Sequence, residues 1–549
     1  MSARWAARWA RVVVAAMLPV VAALAGCSHT VAARISYVVD GALPTYNVNT
    51  TIGAASGGAQ AFARTLAGFA YLGPDGQVVP DHDFGTVSVV SSAPLVLDYV
   101  IAADAVYSDG KPITCDDLVL TWAASSGRFP GFDAASRAGY SDISSIDCQR
   151  GQKKARVSFA PDRAIADYAQ LFGATSLMPS HVIADELGID VTDALLSNAV
   201  PKVEQIAAVW NSSWDLKAGI ETAHFPASGP YKIESVDDSG AVVLVANERW
   251  WGAKPLTKRI IVSTQGPDIQ DQVNARTVDV LDAAVGSFGA LTVPDNYRHT
   301  DYPSAGLEQL IFAGTGPLAE PRARRALALC VPRDVIARDA GVPIANSRLA
   351  PAADDAVAAA DGRVQAEPFT RADQDAARRE KGADPLSVRI GYRGPNARLA
   401  TTIGTIRGSC AAAGITVSDV VLDSAGPQDV RDGKVDALLA STGGATGSGS
   451  TGASALDAYT LHSGNGNNLS GYANAAVDKA IGDLAVVTDP AERVRLLGET
   501  APILWADLPT LPLYRQQRRL LFSPKTSSVT PNPTRWGAGW NMDRWSRSE

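Results

Sequence analysis

The chain has 549 residues, of which 46% are hydrophobic and 19% are charged, and its formal net charge is −8. These values are typical of a globular protein with two or three domains, and they exclude a disordered chain. No block of Lys and Arg could follow a phosphate backbone, which argues against nucleic acid as a partner.

The N-terminal segment has the layout of a signal peptide. Arg4, Arg8 and Arg11 precede an apolar run over residues 12–25, and small residues follow it. This run is shorter than the roughly 20 apolar residues that a spanning helix needs, and no later stretch is a better candidate. We therefore expect a signal peptide over residues 1–26 and no transmembrane helix in the mature protein.

The segment ends in Leu24-Ala25-Gly26-Cys27, which resembles the lipobox of bacterial lipoproteins. The resemblance implies that Cys27 is acylated, that residues 27–34 form a tether, and that the protein is held on the outer face of the bacterial cytoplasmic membrane by its lipid alone. One alternative stays open, because Ala23-Leu24-Ala25 also satisfies the A-x-A rule of ordinary secretion. In that case Cys27 would be unmodified.

Four further cysteines remain, an even number that suits disulfide bonds in an oxidising compartment. Cys115 and Cys148 lie close together in the sequence, whereas Cys330 and Cys410 fall in the later half. We favour the bridges Cys115–Cys148 and Cys330–Cys410, each within its own domain. Four cysteines allow three connectivities, and free buried thiols are a further alternative.

Two local patterns in the first half predict regular structure. Residues 107–118 read as a strand, an Asp-Gly turn and a helix, with Thr114 as N-cap and Asp117 at the third helical position. Residues 229–245 read as a β-hairpin, because two strand-like runs flank the turn sequence at 237–240.

The later half alternates strand and helix patterns. In chain order we predict a strand at Leu386–Tyr392, a helix at Arg398–Ala413, strands at Ile415–Leu422 and Val435–Ala440, helical structure from Asn474 to Trp505, and a terminal strand from Leu511. The first three form a βαβ unit, which implies a parallel sheet with helices on its faces. The chain is therefore predicted to form two α/β lobes.

The sequence carries no catalytic signature that we can identify. Residues 447–452 match G-x-G-x-x-G, but the helix and the acidic residue that a dinucleotide site requires do not follow. Walker A, G-x-S-x-G and H-E-x-x-H motifs are absent from the sequence, and its six histidines have no pair at metal-ligand spacing. We predict no catalytic residue, no metal and no cofactor, since a hydrolase would rest on scattered Ser, His and Asp alone.

Several segments match, in order, the landmarks of a known family. They are Tyr107–Trp122, Met178–His181, Ser228–Tyr231, Asn247–Trp251, Glu320–Ile336, Asn467–Lys479 and Pro502–Tyr514. The first resembles F-x-D-G-x-P-hydrophobic-T-A-x-D-V, and the second resembles M-P-x-H. Together they resemble the family 5 extracellular solute-binding proteins, the peptide and nickel receptors of ABC importers, which include the dipeptide- and oligopeptide-binding proteins.

The resemblance implies a two-lobed α/β fold like that of periplasmic binding proteins, with three structural domains around a hinged cleft. The expected boundaries are 35–75, 205–300 and 511–549 for domain I, 76–204 for domain II, and 301–510 for domain III. It also implies a monomer, not an enzyme, that captures peptides or peptide-like solutes by hinge closure and delivers them to an ABC permease. The alternative is a receptor fold reused as a non-transport regulator or scaffold of cell-envelope assembly.

The sequence departs from the family where peptide-binding members usually carry W-x-x-D-x-x-D-P, whose Asp binds the ammonium group of the peptide. The candidate ligand-binding residues at this place are Ser441, Thr442, Gly443 and Gly444. The glycines read either as a surface loop or as backbone that lets a bulky ligand approach. Asp457 and Tyr459 are candidate replacements for the missing clamp, although Asp457 would also suit the start of a helix.

On the first lobe, residues 46–50 occupy the position of the family's early L-N-P segment. Tyr46, Asn47 and Asn49 are therefore further candidates for ligand binding, and the two amides offer neutral donors and acceptors. The alternative is that the asparagines serve a local Asx turn.

Overall fold

The computed structural model describes residues 34–264, 266, 268–349, 362–423, 425–441 and 455–548. Its strands are β1 (Arg34–Val39), β2 (Ala70–Leu72), β3 (Val78–Pro80), β4 (Gly85–Ser92), β5 (Leu95–Ile101), β6 (Ile143–Cys148), β7 (Lys154–Phe159), β8 (Tyr231–Val236), β9 (Val242–Ala246), β10 (Arg259–Thr264), β11 (Val280–Ala284), β12 (Arg298–Phe312), β13 (Leu386–Arg393), β14 (Ile415–Leu422), β15 (Ala437–Ala440), β16 (Thr510–Phe522), β17 (Thr526–Ser527) and β18 (Ser546–Arg547).

The α-helices are α1 (Thr51–Ala54), α2 (Gly58–Ala61), α3 (Cys115–Ser125), α4 (Ser180–Leu187), α5 (Val191–Leu196), α6 (Val200–Ser212), α7 (Ile269–Asn274), α8 (Pro321–Cys330), α9 (Arg333–Asp339), α10 (Arg363–Ala366), α11 (Gln374–Lys381), α12 (Ala397–Ala411), α13 (Pro427–Arg431), α14 (Ala475–Val486) and α15 (Pro490–Asp507). Within the described ranges, none of these helices combines the length and the apolar character needed to cross a membrane.

The framework is a ten-stranded sheet in the order β14-β13-β15-β12-β16-β11-β1-β10-β9-β8. The antiparallel strands β12 and β16, of 15 and 13 residues, lie in its middle and join the two ends. We call residues 34–297 and 523–548 the first lobe, and the described residues between 313 and 509 the second lobe. The register between β12 and β16 shifts between Pro303 and Leu307, and an irregularity of this kind bends a strand pair.

The predicted βαβ unit is present in the second lobe. Strands β13 and β14 pair in parallel over their full length, and α12 connects them, within two residues of the predicted bounds. The side chain of Asn396 caps α12 by accepting from the Leu399 N–H, while Ile403 and Ile406 are buried in the core of this lobe. Apolar periodicity and an N-cap residue are the two sequence features that produce this unit.

The first lobe carries a separate four-stranded antiparallel sheet in the order β4-β5-β7-β6, with α3 beside it. The predicted capping box is present at the start of α3, where the Thr114 N–H donates to Asp117 Oδ2 at 3.1 Å. The other oxygen of Asp117 accepts from the Ser180 N–H and hydroxyl at 2.8 and 2.7 Å. This one buried carboxylate therefore joins the sequence landmarks at 107–122 and 178–181.

Two disulfides tie helices to their neighbours in the described chain. Cys115 is bonded to Cys148, which links α3 to β6, and Cys330 is bonded to Cys410, which links α8 to α12. This is the pairing favoured from the sequence, with one bridge in each lobe.

Candidate functional site

A cavity of about 170 Å³ lies between the two lobes. Both lobes supply its wall, and the residues that line it are Val48, Asn49, Ala70, Tyr71, Leu72, Val78, Thr121, Ser125, Ala135, Ser136, Ala138, Tyr140, Gln170, Leu171, Gly173, Ala174, Ser176, Leu456, Asp457, Thr460, Asn467, Arg535 and Trp536. Four of them, Leu456, Asp457, Thr460 and Asn467, belong to the second lobe. The cavity therefore depends on the approach of one lobe to the other.

Neutral polar side chains predominate among the hydrogen-bonding groups of the cavity. Among the described residues that line it, the charged side chains are Asp457 of the second lobe and Arg535 of the first. Burial lowers the pKa of Arg535, while the nearby Asp457 and Tyr140 act in the opposite direction. The cavity thus offers one group of each charge and a set of amides and hydroxyls that can serve as donors or acceptors.

Direct hydrogen bonds join the two lobes, one of them between two residues of the cavity wall. The Asn467 N–H donates to the Ala135 carbonyl at 2.8 Å, and the Ala397 N–H donates to the Ser287 carbonyl at 3.1 Å. Gly466 makes the first of these contacts feasible, because a Cβ at this position would lie 2.1 Å from the Ala134 carbonyl oxygen. The structure is therefore a closed arrangement of the lobes.

Two predicted residues, Asn49 and Asp457, line the cavity. Asn49 lies on the first lobe, and its Nδ2 donates to Asn47 Oδ1 and to the Thr175 carbonyl, both at 3.0 Å. Asp457 lies in the first turn of a 3₁₀ helix, Ala455–Leu461, on the second lobe. Asp457 therefore starts a helix and also lines the cavity, while ligand binding by its carboxylate stays a prediction.

Tyr46 and Asn47 correct the expectation of ligand contact, because both are buried in the core and neither lines the cavity. The ring of Tyr46 packs edge-on against Phe62, with centroids 5.2 Å apart. The Asn47 side chain donates to the Trp210 carbonyl at 3.0 Å and accepts from the Asn49 N–H at 3.2 Å. Asn47 therefore serves the local turn, the alternative considered from the sequence.

Tyr459 and Ser441 are also outside the cavity lining. Tyr459 stacks on His462 with centroids 5.1 Å apart, and burial raises its pKa to about 12. Ser441 is buried where β15 ends, and its hydroxyl has no hydrogen-bond partner in the part of the chain that the structure describes. Thr442, Gly443 and Gly444, like the acylation candidate Cys27, lie outside the described residues.

The sequence did not single out the C-terminal contribution to the cavity. Arg535 and Trp536 reach the wall because Asn532 anchors their segment: its Nδ2 donates to the carbonyls of Leu72 and Gly73 at 3.1 and 2.6 Å. Asn532 Oδ1 also accepts from the Thr534 N–H and hydroxyl, which fixes the turn just before Arg535. An Asn-Pro-Thr turn is readable from sequence, but its partner strand is not.

Buried ion pairs stabilise the strands that connect the lobes. Glu308 on β12 accepts from Arg398 Nη1 at 3.0 Å and from Gln516 Nε2 at 2.6 Å. Nearer the first lobe, Arg518 on β16 forms an ion pair with Asp282 at 2.9 Å, and both side chains are 0% exposed. Burial opposes the charge of Arg518, but Asp282, Tyr302 and Asp40 together outweigh it, so the pKa of Arg518 is raised.

The sequence is similar to that of known solute-binding proteins and lipoproteins. Residues 87–463 match the family described as bacterial extracellular solute-binding proteins, family 5 middle. A lipoprotein of Mycobacterium tuberculosis, Rv2585c, is 69% identical over 540 residues, which cover 98% of this chain and 97% of that one. The oligopeptide-binding protein OppA of the same species is 27% identical over 304 residues, or 54% of this chain and 46% of that one.

A similar fold is found in the oligopeptide-binding protein AppA of Bacillus subtilis, solved in complex with a nonapeptide. The two structures align with a TM-score of 0.69 at 13% sequence identity, covering 94% of this chain and 99% of that one. This likeness shows the fold alone, a two-lobed α/β binding-protein fold. The fold class expected from the sequence is thereby confirmed, as is the resemblance on which it was based.

Proposed function

We propose, from the fact that this chain belongs to the bacterial extracellular solute-binding proteins of family 5, that it captures a peptide or a peptide-like solute and delivers it to an ABC importer. Proteins of this family and fold bind solutes and are not enzymes. Support for a peptide-like cargo comes from OppA, the oligopeptide-binding relative that aligns over about half of this chain.

The single observation that carries the proposal is the closed cavity between the lobes. Its neutral side chains include Asn49, Gln170 and Asn467, whose amides can pair with either the N–H or the carbonyl of a peptide bond. Bridging water adapts such a site to varied side chains at little cost in free energy. Because both lobes supply the wall, binding and closure favour one another.

We further propose that the receptor works as a lipid-anchored monomer on the outer face of the cytoplasmic membrane. The supporting observation is that relatives sharing 67 to 70% of its residues are named lipoproteins. The Cys27 thiol is the group that would be acylated, and two or more acyl chains hold a protein firmly where one does not. Anchoring raises the effective concentration of the receptor near a membrane permease.

Native mass spectrometry of the gently purified full chain tests capture. We expect a bound small molecule, and we expect mixed peptide libraries to raise the melting temperature, since a ligand at 100 times its Kd adds about 2.7 kcal/mol of stability. A protein that is empty on purification, and that no peptide pool stabilises, would contradict the proposal.

A matched pair of glycine variants tests closure. Gly466→Ala puts a Cβ 2.1 Å from the Ala134 carbonyl oxygen, whereas the Cβ of Gly498→Ala on α15 meets no atom within 4 Å. We expect Gly466→Ala to weaken capture at least tenfold and to enlarge the radius of gyration in X-ray scattering, while Gly498→Ala changes neither. Equal capture by the two variants would mean that this lobe contact is not part of binding.

Crosslinking in cells tests delivery. If an ABC permease is recovered with the wild-type chain, the transport proposal holds for this receptor. Recovery of a cell-envelope enzyme in place of a permease would instead favour the regulator or scaffold, and would separate the capture step from transport.

A further inference from the structure

We infer that the C-terminal segment of the first lobe forms an oxyanion subsite, in which Arg535, Trp536 and Gln170 bind a carboxylate or phosphate group of the solute. The inference rests on the proposed function, since it names the chemical class of the solute that the cavity takes.

Three buried nitrogen atoms of the cavity wall carry the inference. Arg535 Nε, Trp536 Nε1 and Gln170 Nε2 are each shielded from solvent and have no hydrogen-bond partner in the part of the chain that the structure describes. A buried donor that is left unpaired costs about 1–3 kcal/mol, so each such group calls for a partner, which can be water, an ion or a bound solute. Three such donors on one wall call for a group rich in acceptors.

The chemistry of the donors narrows the class of ligand. An indole N–H and a guanidinium can only donate, so neither Trp536 nor Arg535 can bind a ligand N–H. The guanidinium is also the one cation among the described residues that line the cavity. Hydrogen bonds between a buried cation and an oxyanion are the strong ones, which favours a carboxylate or a phosphate over a neutral carbonyl.

The subsite is held in place before the solute arrives. Trp536 is only 3% exposed, and its backbone N–H donates to Thr534 Oγ1 at 3.3 Å. Asn532 fixes the same turn through the hydrogen bonds to Leu72 and Gly73 described above. A donor set on such a fixed turn loses little conformational entropy on binding, and this makes its hydrogen bonds more effective.

The cavity limits how much of the solute can be enclosed. Asp457 lines the same cavity from the second lobe, so a solute held at Arg535 lies between the two lobes. A cavity of about 170 Å³ takes only part of a peptide, such as one end of the chain. The carboxyl end of a short peptide is the source of oxyanion that fits these features together.

The test compares two libraries of tri- and tetrapeptides, one with free carboxyl ends and one with C-terminal amides, by the amount that the full chain captures. We expect the wild type to favour the free acids about tenfold, which corresponds to about 1.4 kcal/mol. Arg535→Gln should remove that preference by weakening capture of the acids alone, and Trp536→Phe should reduce it in part. Arg371→Gln is the matched control, because its side chain is 85% exposed and is not among the residues that line the cavity.

The outcomes separate this subsite from the proposed function. If acids and amides are captured equally, or if Arg535→Gln keeps the preference, the subsite is refuted while peptide capture stands. If no peptide is captured at all, the peptide proposal fails, and inorganic phosphate then decides the subsite. A melting temperature raised by phosphate in the wild type and in Arg371→Gln, but not in Arg535→Gln, supports an oxyanion from a phosphate-bearing solute. No phosphate shift in the wild type refutes it.

Discussion

Replacing Asp282 by Asn should destabilise the first lobe by far more than the loss of one exposed ion pair. Asp282 accepts from Arg518 Nε at 2.9 Å, from the Tyr302 hydroxyl at 2.8 Å and from the Ala538 N–H at 2.7 Å. The variant keeps the shape of the side chain but leaves the buried Arg518 guanidinium without the carboxylate that is directly bonded to it. Removal of one partner from a buried pair costs about 3–5 kcal/mol, and we expect a loss of stability in that range.

Equilibrium unfolding in urea, followed by both tryptophan fluorescence and circular dichroism, measures this loss. The double variant Asp282→Asn with Arg518→Met removes both charges, so it should recover part of the stability that the single variant loses. As a control, Asp375→Asn removes a carboxylate that is 76% exposed and paired with Arg378, which should cost at most about 1 kcal/mol. A loss below about 1 kcal/mol for Asp282→Asn, or a double variant no more stable than the single one, would refute this reasoning.

Three further outcomes are expected. Changing Cys330 and Cys410 to Ser opens a loop of 80 residues, which should lower the free energy of unfolding by about 4 kcal/mol. Urea titrations under oxidising conditions measure this loss, and no change would mean that the bridge does not form. The hydrogen bond from Arg156 lowers the pKa of Asp98 to about 2. The difference in free energy of unfolding between the wild type and Arg156→Gln should therefore be complete above pH 3.8 and disappear as the pH falls towards 2. A difference that widens on acidification would contradict this. Asn396→Ala removes both the N-cap of α12 and a side-chain bond to the first lobe, so calorimetry should show a loss of about 1 kcal/mol, whereas an unchanged melting temperature would count against the cap.

The later half of the fold could be predicted from the sequence because its pattern is local. Apolar residues recur at helical or strand spacing between 386 and 422, and the N-cap Asn396 lies at the boundary, so the βαβ unit was found to within two residues. The capping box at Thr114 and Asp117 was predictable for the same reason. What the sequence did not reveal is the order of the ten strands, which depends on pairings between distant segments.

The site was only partly predictable, because the direction of a side chain is decided by the tertiary structure. Asn47 and Asn49 lie two residues apart in one short segment, yet Asn49 lines the cavity and Asn47 holds the turn behind it. Arg535 shows the same limit over a longer distance. The anchor of its segment joins Asn532 to Leu72 across 460 positions of the chain, a separation that no local pattern can bridge.

Among the strands that the structure describes, β12 and β16 are the two that join the lobes within one sheet, and this restricts how the molecule can move. Two strands joined by their hydrogen bonds can bend across the plane of the pair, so under the proposed function the lobes would open by a hinge rotation about these two strands. Few backbone angles then have to change, and most of the interaction free energy of a solute remains available for affinity. A membrane protein that touches both lobes at once would meet a fixed spacing between them in the filled receptor and a range of spacings in the empty one.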